Sequence, residues 1–385
     1  MKTIAVIFGG QSAEHDVSIV TAIASIIRPL QLTKEYDVQA VYIAKDGSWY
    51  WDNKLKNIEL FTTGEIDNFL KKAPKVQIVF DHGLTLVKTR QFTNRKTYKK
   101  IDIVFPAMHG THGEDGDLMG LLNMAGVPYV GCGVAASAIA MDKVLAKLIA
   151  EAHGVLTPKM QFTTKSDFEH DPQSFIDAVN KQLTYPLFVK PAHLGSSIGI
   201  TKVTDKNQLA NALELAAHYD TKILVEEAVP NLIELTLPIM GNEQPIPAFL
   251  EQPLTSSEHF FDFDTKYMNS GKKGGKKGGA QGYSIIPAAI DAALYKKAED
   301  VGLAVYRAVG CEGIARVDML VDSITSKVYF NEVNPLPGGL YAHNWQKKGI
   351  SKTQLVQKLI DYALQRQHSA SDLSTTFKTS YLRQF

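Results

Sequence analysis

Apolar positions along this chain follow two spacings, and the switches between them mark its elements. Ile4 to Phe8 is an unbroken apolar run of the kind buried on both faces of a parallel sheet. Gly9-Gly10 ends it, and residues 14–30 then carry apolar side chains at helical spacing. Short apolar runs at 38–43, 76–80 and 103–105 predict further strands, and 118–124 predicts a helix. Strands alternating with helices predict an α/β layer for this first unit, residues 1–133. The Ala-rich stretch 134–153 predicts one helix stopped by Gly154. Strands over 159–163, 186–190 and 198–203, with helices over 166–182 and 207–218, predict a small α+β unit, residues 134–222. A third unit, 223–367, carries several strands, a helix over 288–309, a hairpin over 313–333 and a last helix over 352–364. Residues 368–385 are Ser/Thr-rich and lack periodicity, so they read as a tail.

Composition narrows the class. A chain of 385 residues is too long for one compact core, so two or three domains are expected. Lys plus Arg (41) balances Asp plus Glu (40), so no global field points to nucleic acid or an anionic membrane. The two cysteines, Cys132 and Cys311, give neither a disulfide framework nor metal-ligand spacing, and are expected as reduced thiols of a cytoplasmic protein. The opening apolar run is too short for a secretion signal, and no apolar stretch reaches the roughly 18 residues of a membrane span. The expected partners are therefore small molecules.

Two motifs mislead. Gly131-Cys132-Gly133-Val134-Ala135-Ala136 fits a dinucleotide fingerprint, but the residues after it stay helical, whereas that fingerprint needs a second strand ending in an acid. His109 and His112 suggest a metal pair, but no Cys or carboxylate at ligand spacing in a supporting element is evident. There is no P-loop motif either.

The strongest signal is Arg316-Val317-Asp318 followed by Glu332-Val333-Asn334. Strand side chains alternate, so Arg316 and Asp318 share a face, as do Glu332 and Asn334. A hairpin turn symmetric about Thr325 would set Asp318 opposite Glu332 and Arg316 opposite Asn334. Directly opposed carboxylates repel, and a divalent cation reverses that sign, so the face is a candidate Mg²⁺ site. The bland alternative is a solvated polar face with Arg316 bridging the acids. Lys190, delivered by an apolar strand, precedes the Gly195-Ser196-Ser197 turn, a combination suited to phosphate or carboxylate oxygens. Gly9-Gly10 and Glu14 lie in the first strand-to-helix turn, where α/β sheets bind ligands, although Glu14 also suits a plain helix start. The run Gly271-Lys-Lys-Gly-Gly-Lys-Lys-Gly-Gly279 is cationic and low in complexity, either a solvated loop or a cover for a polyanion.

Together these segments resemble the D-alanine–D-alanine ligase family. The matching text is Gly9-Gly-Gln-Ser-Ala-Glu14-His-Asp-Val-Ser18, His109-Gly-Thr-His-Gly-Glu-Asp-Gly116, Met141-Asp-Lys143 and Lys190-Pro-Ala-His-Leu-Gly-Ser-Ser197. It continues with Phe261-Asp-Phe-Asp-Thr-Lys-Tyr267, Ala315-Arg-Val-Asp318 and Asn331-Glu-Val-Asn-Pro-Leu-Pro-Gly338, in family order over roughly residues 3 to 365. The resemblance implies a three-domain ATP-grasp fold with an N-terminal parallel-sheet domain and a lid loop near 255–284. It implies a reaction in which ATP phosphorylates a D-alanine carboxylate and a second amine attacks the acyl phosphate. By the same resemblance, Lys143, Lys190 and Lys266 meet the ATP phosphates, Glu226, Glu227 and Val229 line adenine, and Glu234 meets the ribose. Asp318, Glu332 and Asn334 would hold two Mg²⁺ ions, for which Mn²⁺ can substitute. Glu14, Ser196 and Tyr267 would orient the first D-alanine, with Arg316 and the Gly338 N–H stabilising the tetrahedral intermediate. A homodimer is the expected assembly.

The stretch after Gly338 departs from the family, which has a serine there for the second substrate's carboxylate. Tyr341 and His343 are the candidates in its place, with His343 expected to bind that carboxylate as an imidazolium. Two alternatives therefore stay open. One keeps the first half-reaction with another acceptor, a D-hydroxy acid or a different amino acid. The other is a non-catalytic nucleotide sensor, which would have no use for the Arg316 and Gly338 donors.

Overall fold

The opening apolar run becomes β1 (Lys2–Gly9), buried from Thr3 onward because it lies between two parallel neighbours. The computed structural model describes residues 1–81, 83–89, 95–254, 284–374 and 377–385. In it β1 pairs in parallel with β2 (Tyr36–Ile43), and β3 (Trp49–Trp51) covers the far edge of β2. Strands β4 (Val76–Phe80), β5 (Leu84–Thr89) and β6 (Lys96–Ile101) form a separate antiparallel sheet, so 76–80 does not join the layer begun by β1. β7 (Ile103–Pro106) returns to the other side of β1. Gly9 and Gly10 turn the chain at the end of β1 with φ of +90° and +100°. A Cβ on Gly9 would overlap the carbonyl oxygen of Ile43. The helical stretch beyond that turn runs from His15 to Thr33, and its middle, Thr21–Ile27, is π-helical. Such segments recur at functional sites.

The central sheet contains β8 (Met160–Thr164), β9 (Leu187–Pro191), β10 (Thr201–Val203) and β11 (Lys222–Glu227), in the order β10-β9-β11-β8. Three corrections to the sequence reading arise here. The expected helix 134–153 is two, Val134–Met141 and Lys143–Ala152, because Asp142 is extended and its carboxylate accepts from Val144 and Leu145 N–H. An N-capping aspartate starts a new helix whatever the apolar periodicity around it. The helix expected over 166–182 breaks likewise at Asp171-Pro172, where Asp171 caps and proline occupies the first turn. The boundary drawn at 222/223 cuts this sheet, since β11 lies between β9 and β8.

The third sheet contains β12 (Leu232–Met240), β13 (Ile246–Pro247), β16 (Ile314–Asp322) and β17 (Lys327–Asn334), with β14 (Gln252–Pro253) and β15 (Ser284–Ile285) as a short ribbon beside it. One face is apolar: Leu235, Leu237, Val317, Met319 and Val333 are buried with the helix Ala292–Val309. Helices Val134–Met141 and Lys143–Ala152 share that core, so the unit drawn as 134–222 mixes two cores. Pairing then puts Glu234, Thr236, Arg316, Asp318, Glu332 and Asn334 on the opposite face. A one-residue slip would bury this polar set, so the register is strongly specified.

The last helix, Lys352–Ser371, starts at a capping box of Ser351 and Gln354 and packs Leu355, Val356, Leu359 and Ile360 into the N-terminal core. It passes the expected end at 364 and takes in the first residues of the supposed tail. Residues beyond 364 are mostly polar, but extending an already nucleated helix costs little. Among the described residues no helix is long and apolar enough to cross a membrane.

Candidate active site

The β16–β17 hairpin delivers the acid–base face. Arg316 stands opposite Asn334 and Asp318 opposite Glu332, with the ladder shifting just beyond, between Asp318 and Met319. Arg316 grips Asp318 with two bonds, Nε to Oδ1 at 2.6 Å and Nη2 to Oδ2. Asn334 Nδ2 also donates to Asp318 Oδ2 (3.1 Å), which turns its amide oxygen away from the acid. Glu332 pairs instead with Lys143, Nζ to Oε2 at 3.5 Å. Asp318 is thus paired with Arg316, and Glu332 with Lys143. Asp318, Glu332 and Asn334 present hard oxygen donors from adjacent strands on a partly exposed face, a set that fits Mg²⁺.

The helix Lys143–Ala152 lies between the two sheets, and its lysines touch both. Lys143 Nζ donates to the Leu194 carbonyl of the glycine-serine loop at 2.6 Å while facing Glu332. One turn later Lys147, fully buried, donates to the Phe330 carbonyl of β17 at 3.2 Å. Its Nζ also stands 3.1 Å from Glu226 Oε2 of β11, an ion pair off the hydrogen-bond direction. Lys190 holds the other Glu226 oxygen. Burial pushes the Glu226 carboxyl up, but the two lysines outweigh it and bring it down to about 2. Lys147 was not singled out from the sequence; the available signal was a second lysine at i+4 on the helix face that buries Lys143 and Ala150. Glu227 ends β11 with its carboxylate on Thr184 N–H (2.9 Å), and Val229 follows in the connection to β12, which carries Glu234.

From the N-terminal unit, Glu14 reaches the glycine-serine loop, where its Oε1 accepts from the Ser196 hydroxyl. Ser196 and Ser197 both adopt left-handed backbone, φ 53° and 59°, a conformation costing about 1–2 kcal/mol per residue. His109, a doubtful metal ligand by its sequence and the first residue of a segment that carries the family resemblance, is buried beside them. Its Nε2 meets Thr21 Oγ1 at 3.0 Å, and its Nδ1 lies 3.6 Å from Glu114. Burial pushes its pKa down, but Glu114 and then Glu14 raise it overall. His112 turns away to Asp117 (2.6 Å) with Asp115 alongside, so two carboxylates do lie within its reach, in an exposed cluster that excludes His109.

Thr21 ties these groups to the Pro-Gly turn, since its Oγ1 accepts from Gly339 N–H at 3.0 Å. Gly338 opens that turn, and Gly339, Leu340 and Tyr341 are successively left-handed, with φ of 60°, 56° and 48°. The strain aims the Tyr341 ring under the Arg316 guanidinium, 5.1 Å from its centroid. The His343 ring is tilted 43° to that of Tyr341 with centroids 5.0 Å apart, and its Nε2 bonds Glu251 Oε2 at 2.9 Å. Trp345, two residues further on, is fully buried in the N-terminal core. Lys266, Tyr267, the Gly/Lys run and nearly all of the supposed lid lie outside the described residues.

His193 locks the glycine-serine loop to the lysine-bearing helix. Its Nδ1 bonds Asp220 (2.8 Å) and its Nε2 faces Asp142 (3.3 Å), which also pairs with Lys222. Those carboxylates raise its pKa to about 9, from an ordinary 6.5. The folded value is the raised one, so the stabilisation is complete below pH 6.5 and is lost as pH rises through about 9. His193→Asn is expected to lower Tm most near pH 6, and the gap to the unsubstituted protein should narrow by pH 9.5. A gap independent of pH would reduce His193 to a packing role.

Two antiparallel sheets flank a helix whose lysines face carboxylates, with a parallel-sheet unit alongside supplying Glu14. This is the ATP-grasp class of ATP-dependent ligases. Family models described as D-ala D-ala ligase N-terminus and C-terminus match residues 3–132 and 149–361. The chain belongs to the D-alanine–D-alanine ligase family. It is 37% identical to the D-alanine–D-alanine ligase of Acetivibrio thermocellus over 377 residues, covering 95% of this chain and 96% of the relative. Identity to the Chloroherpeton thalassium ligase is 38% over 371 residues, covering 95% and 97%. Among solved structures, the VanG D-Ala:D-Ser ligase from Enterococcus faecalis aligns with a TM-score of 0.78 at 32% identity, over 94% of this chain and 99% of that one. The D-alanine–D-alanine ligase from Coxiella burnetii aligns at 0.77 and 27%, over 97% and 98%.

Proposed function

We propose that this chain joins two D-alanines through a D-alanyl phosphate, in the cytoplasm and as a homodimer, to supply peptidoglycan precursors. The observation that carries the reading is the convergence of Lys143, Glu332, Asp318 and Arg316 on one sheet face, with Glu14 and Ser196 brought in from two other units. Phosphoryl transfer requires chiefly positioning and charge neutralisation. Lys143 and Lys190 bind the ATP phosphates, while Glu226 and the end of β11 flank the base. Asp318, Glu332 and Asn334 would hold Mg²⁺, which neutralises phosphate charge when bound. Glu14, oriented by Ser196, takes the ammonium of the first D-alanine and turns its carboxylate toward the phosphate. That oxygen bonds the γ-phosphorus and ADP leaves. The second amine then attacks the acyl carbon and phosphate departs with the carboxylate oxygen. Arg316 and the Gly338 N–H stabilise the oxyanion between those steps.

A second reading changes only the acceptor, and the Glu251–His343 pair favours keeping it in view. Mass spectrometry of products from ATP, Mg²⁺, D-alanine and a panel of acceptor amino and hydroxy acids separates the two. The expected result is D-alanyl-D-alanine with one ADP and one phosphate per bond. A mixed product in preference to the dipeptide would replace the first reading with the second, and ADP formation independent of D-alanine would remove both.

A further inference from the structure

We infer that Glu251 is a positioning residue of the acceptor pocket, holding His343 so that its outer ring nitrogen donates to the acceptor's carboxylate. The inference rests on the ligase reading above and concerns the place where this chain departs from its family.

Glu251 extends the substrate face of the third sheet. Its backbone exchanges two bonds with Thr236, N–H to carbonyl at 2.8 and 2.9 Å. Thr236 stands opposite Asp318, and Asp318 opposite Glu332. Directly paired residues share a face, so the four side chains form one row across the sheet. Glu251 is 5% exposed, and a carboxylate buried to that degree is costly unless paired and hydrogen-bonded.

Two of its partners among the described residues are fixed. Asn344 Nδ2 donates to Glu251 Oε2 at 3.1 Å, and His343 Nε2 meets the same oxygen at 2.9 Å. Asn344 is itself immobile: fully buried, it is bonded to both the N–H and the carbonyl of Phe249. The carboxylate is thus set in place before any substrate arrives, and it fixes the imidazole with Nε2 as the donor. The other ring nitrogen, Nδ1, has no hydrogen-bond partner among the described residues. The ring is partly open, and the Tyr341 ring contacts both it and Arg316.

Glu251 decides what Nδ1 offers. With Nε2–H spent on a carboxylate, an uncharged imidazole would present a lone pair at Nδ1 and repel a second carboxylate. Set between Glu251 and a bound acceptor carboxylate, the ring donates from both nitrogens, and each bond to a carboxylate is charge-assisted. Among the described residues, the other charges near the ring are already engaged. Arg316 lies beyond Tyr341 and grips Asp318, and Lys347 and Lys348 point away to the carbonyls of Ile286 and Pro247. The expectation that His343 meets the acceptor directly is thereby refined, because one nitrogen belongs to Glu251 and the other to the substrate.

The test is Glu251→Gln, which keeps shape and the Asn344 bond but removes the charge. The acceptor D-alanine KM is expected to rise about tenfold or more, the order of one charge-assisted bond. The donor KM and kcat should stay within about twofold on the same argument, since neither depends on that bond. Glu251→Asp should recover part of the loss. His343→Gln should raise the acceptor KM by a similar factor, and the double variant should add nothing further. An unchanged acceptor KM in Glu251→Gln, an equal rise in both D-alanine KM values, or additive losses would overturn the inference. If Glu251→Gln does not fold, His343→Gln carries the test, and an unchanged acceptor KM there overturns it equally. An unsubstituted enzyme that forms no dipeptide would instead sink the ligase reading on which this rests.

Discussion

Replacing Glu332 by alanine is expected to abolish turnover, a loss of at least about 10²-fold in kcat, while leaving the fold intact. The two halves of that expectation have different causes. Glu332 stands directly opposite Asp318, so in the free protein it contributes repulsion as well as the 3.5 Å pairing with Lys143. Its side chain is about a quarter exposed, so that ion pair is screened and its loss costs about 1 kcal/mol or less. Lys143 also keeps its bond to the Leu194 carbonyl. What the variant removes is a negative oxygen donor from the proposed Mg²⁺ face, which only the loaded enzyme needs. Tm should therefore hold or rise slightly while kcat collapses at saturating ATP. Near-normal activity at millimolar Mg²⁺ would dismiss the metal assignment.

Arg316→Ala should lower kcat by about 10²-fold or more while changing ATP binding far less. The geometry adds a second expectation. Arg316 grips Asp318 through two bonds and supports the Tyr341 ring. Lysine cannot reproduce that planar fork, so Arg316→Lys should recover little activity despite keeping the charge. Measured kcat and ATP KM for both variants decide it. An effect confined to ATP affinity would take Arg316 out of the oxyanion role.

How much of this was legible in the sequence is clearest in the hairpin. The pairings Arg316–Asn334 and Asp318–Glu332 follow from a turn symmetric about Thr325, and they are observed. The turn itself is Ser323–Ser326, centred half a residue earlier, since Asp322 pairs with Lys327. Left alone it would set Asp318 opposite Asn331. A bulge at Asn331 restores the register, so a correct pairing rested on two compensating errors. Alternation shows which residues share a face, but not where an extra residue interrupts the ladder.

Other parts were hidden because their partners are remote. Asp142 looked like one residue of a long helix, yet it caps a second one and ties it to His193 and Lys222. β11 read as the start of a third unit because strand order cannot be seen from apolar runs. His343 was conspicuous as a departure from a known pattern. Its partner Glu251 is 92 residues away, at the edge of a two-residue strand with no periodicity to mark it.

The central claim is that this chain activates a D-alanine carboxylate by phosphorylation and then joins it to a second D-alanine. D-alanine labelled with ¹⁸O at both carboxylate oxygens tests that most directly, with ATP and Mg²⁺ and product analysis by mass spectrometry. The account predicts that each phosphate released carries one ¹⁸O taken from the donor, and that the dipeptide keeps one ¹⁸O in its new amide and two in its free carboxylate. Unlabelled phosphate, or ADP formed without dipeptide, would contradict it.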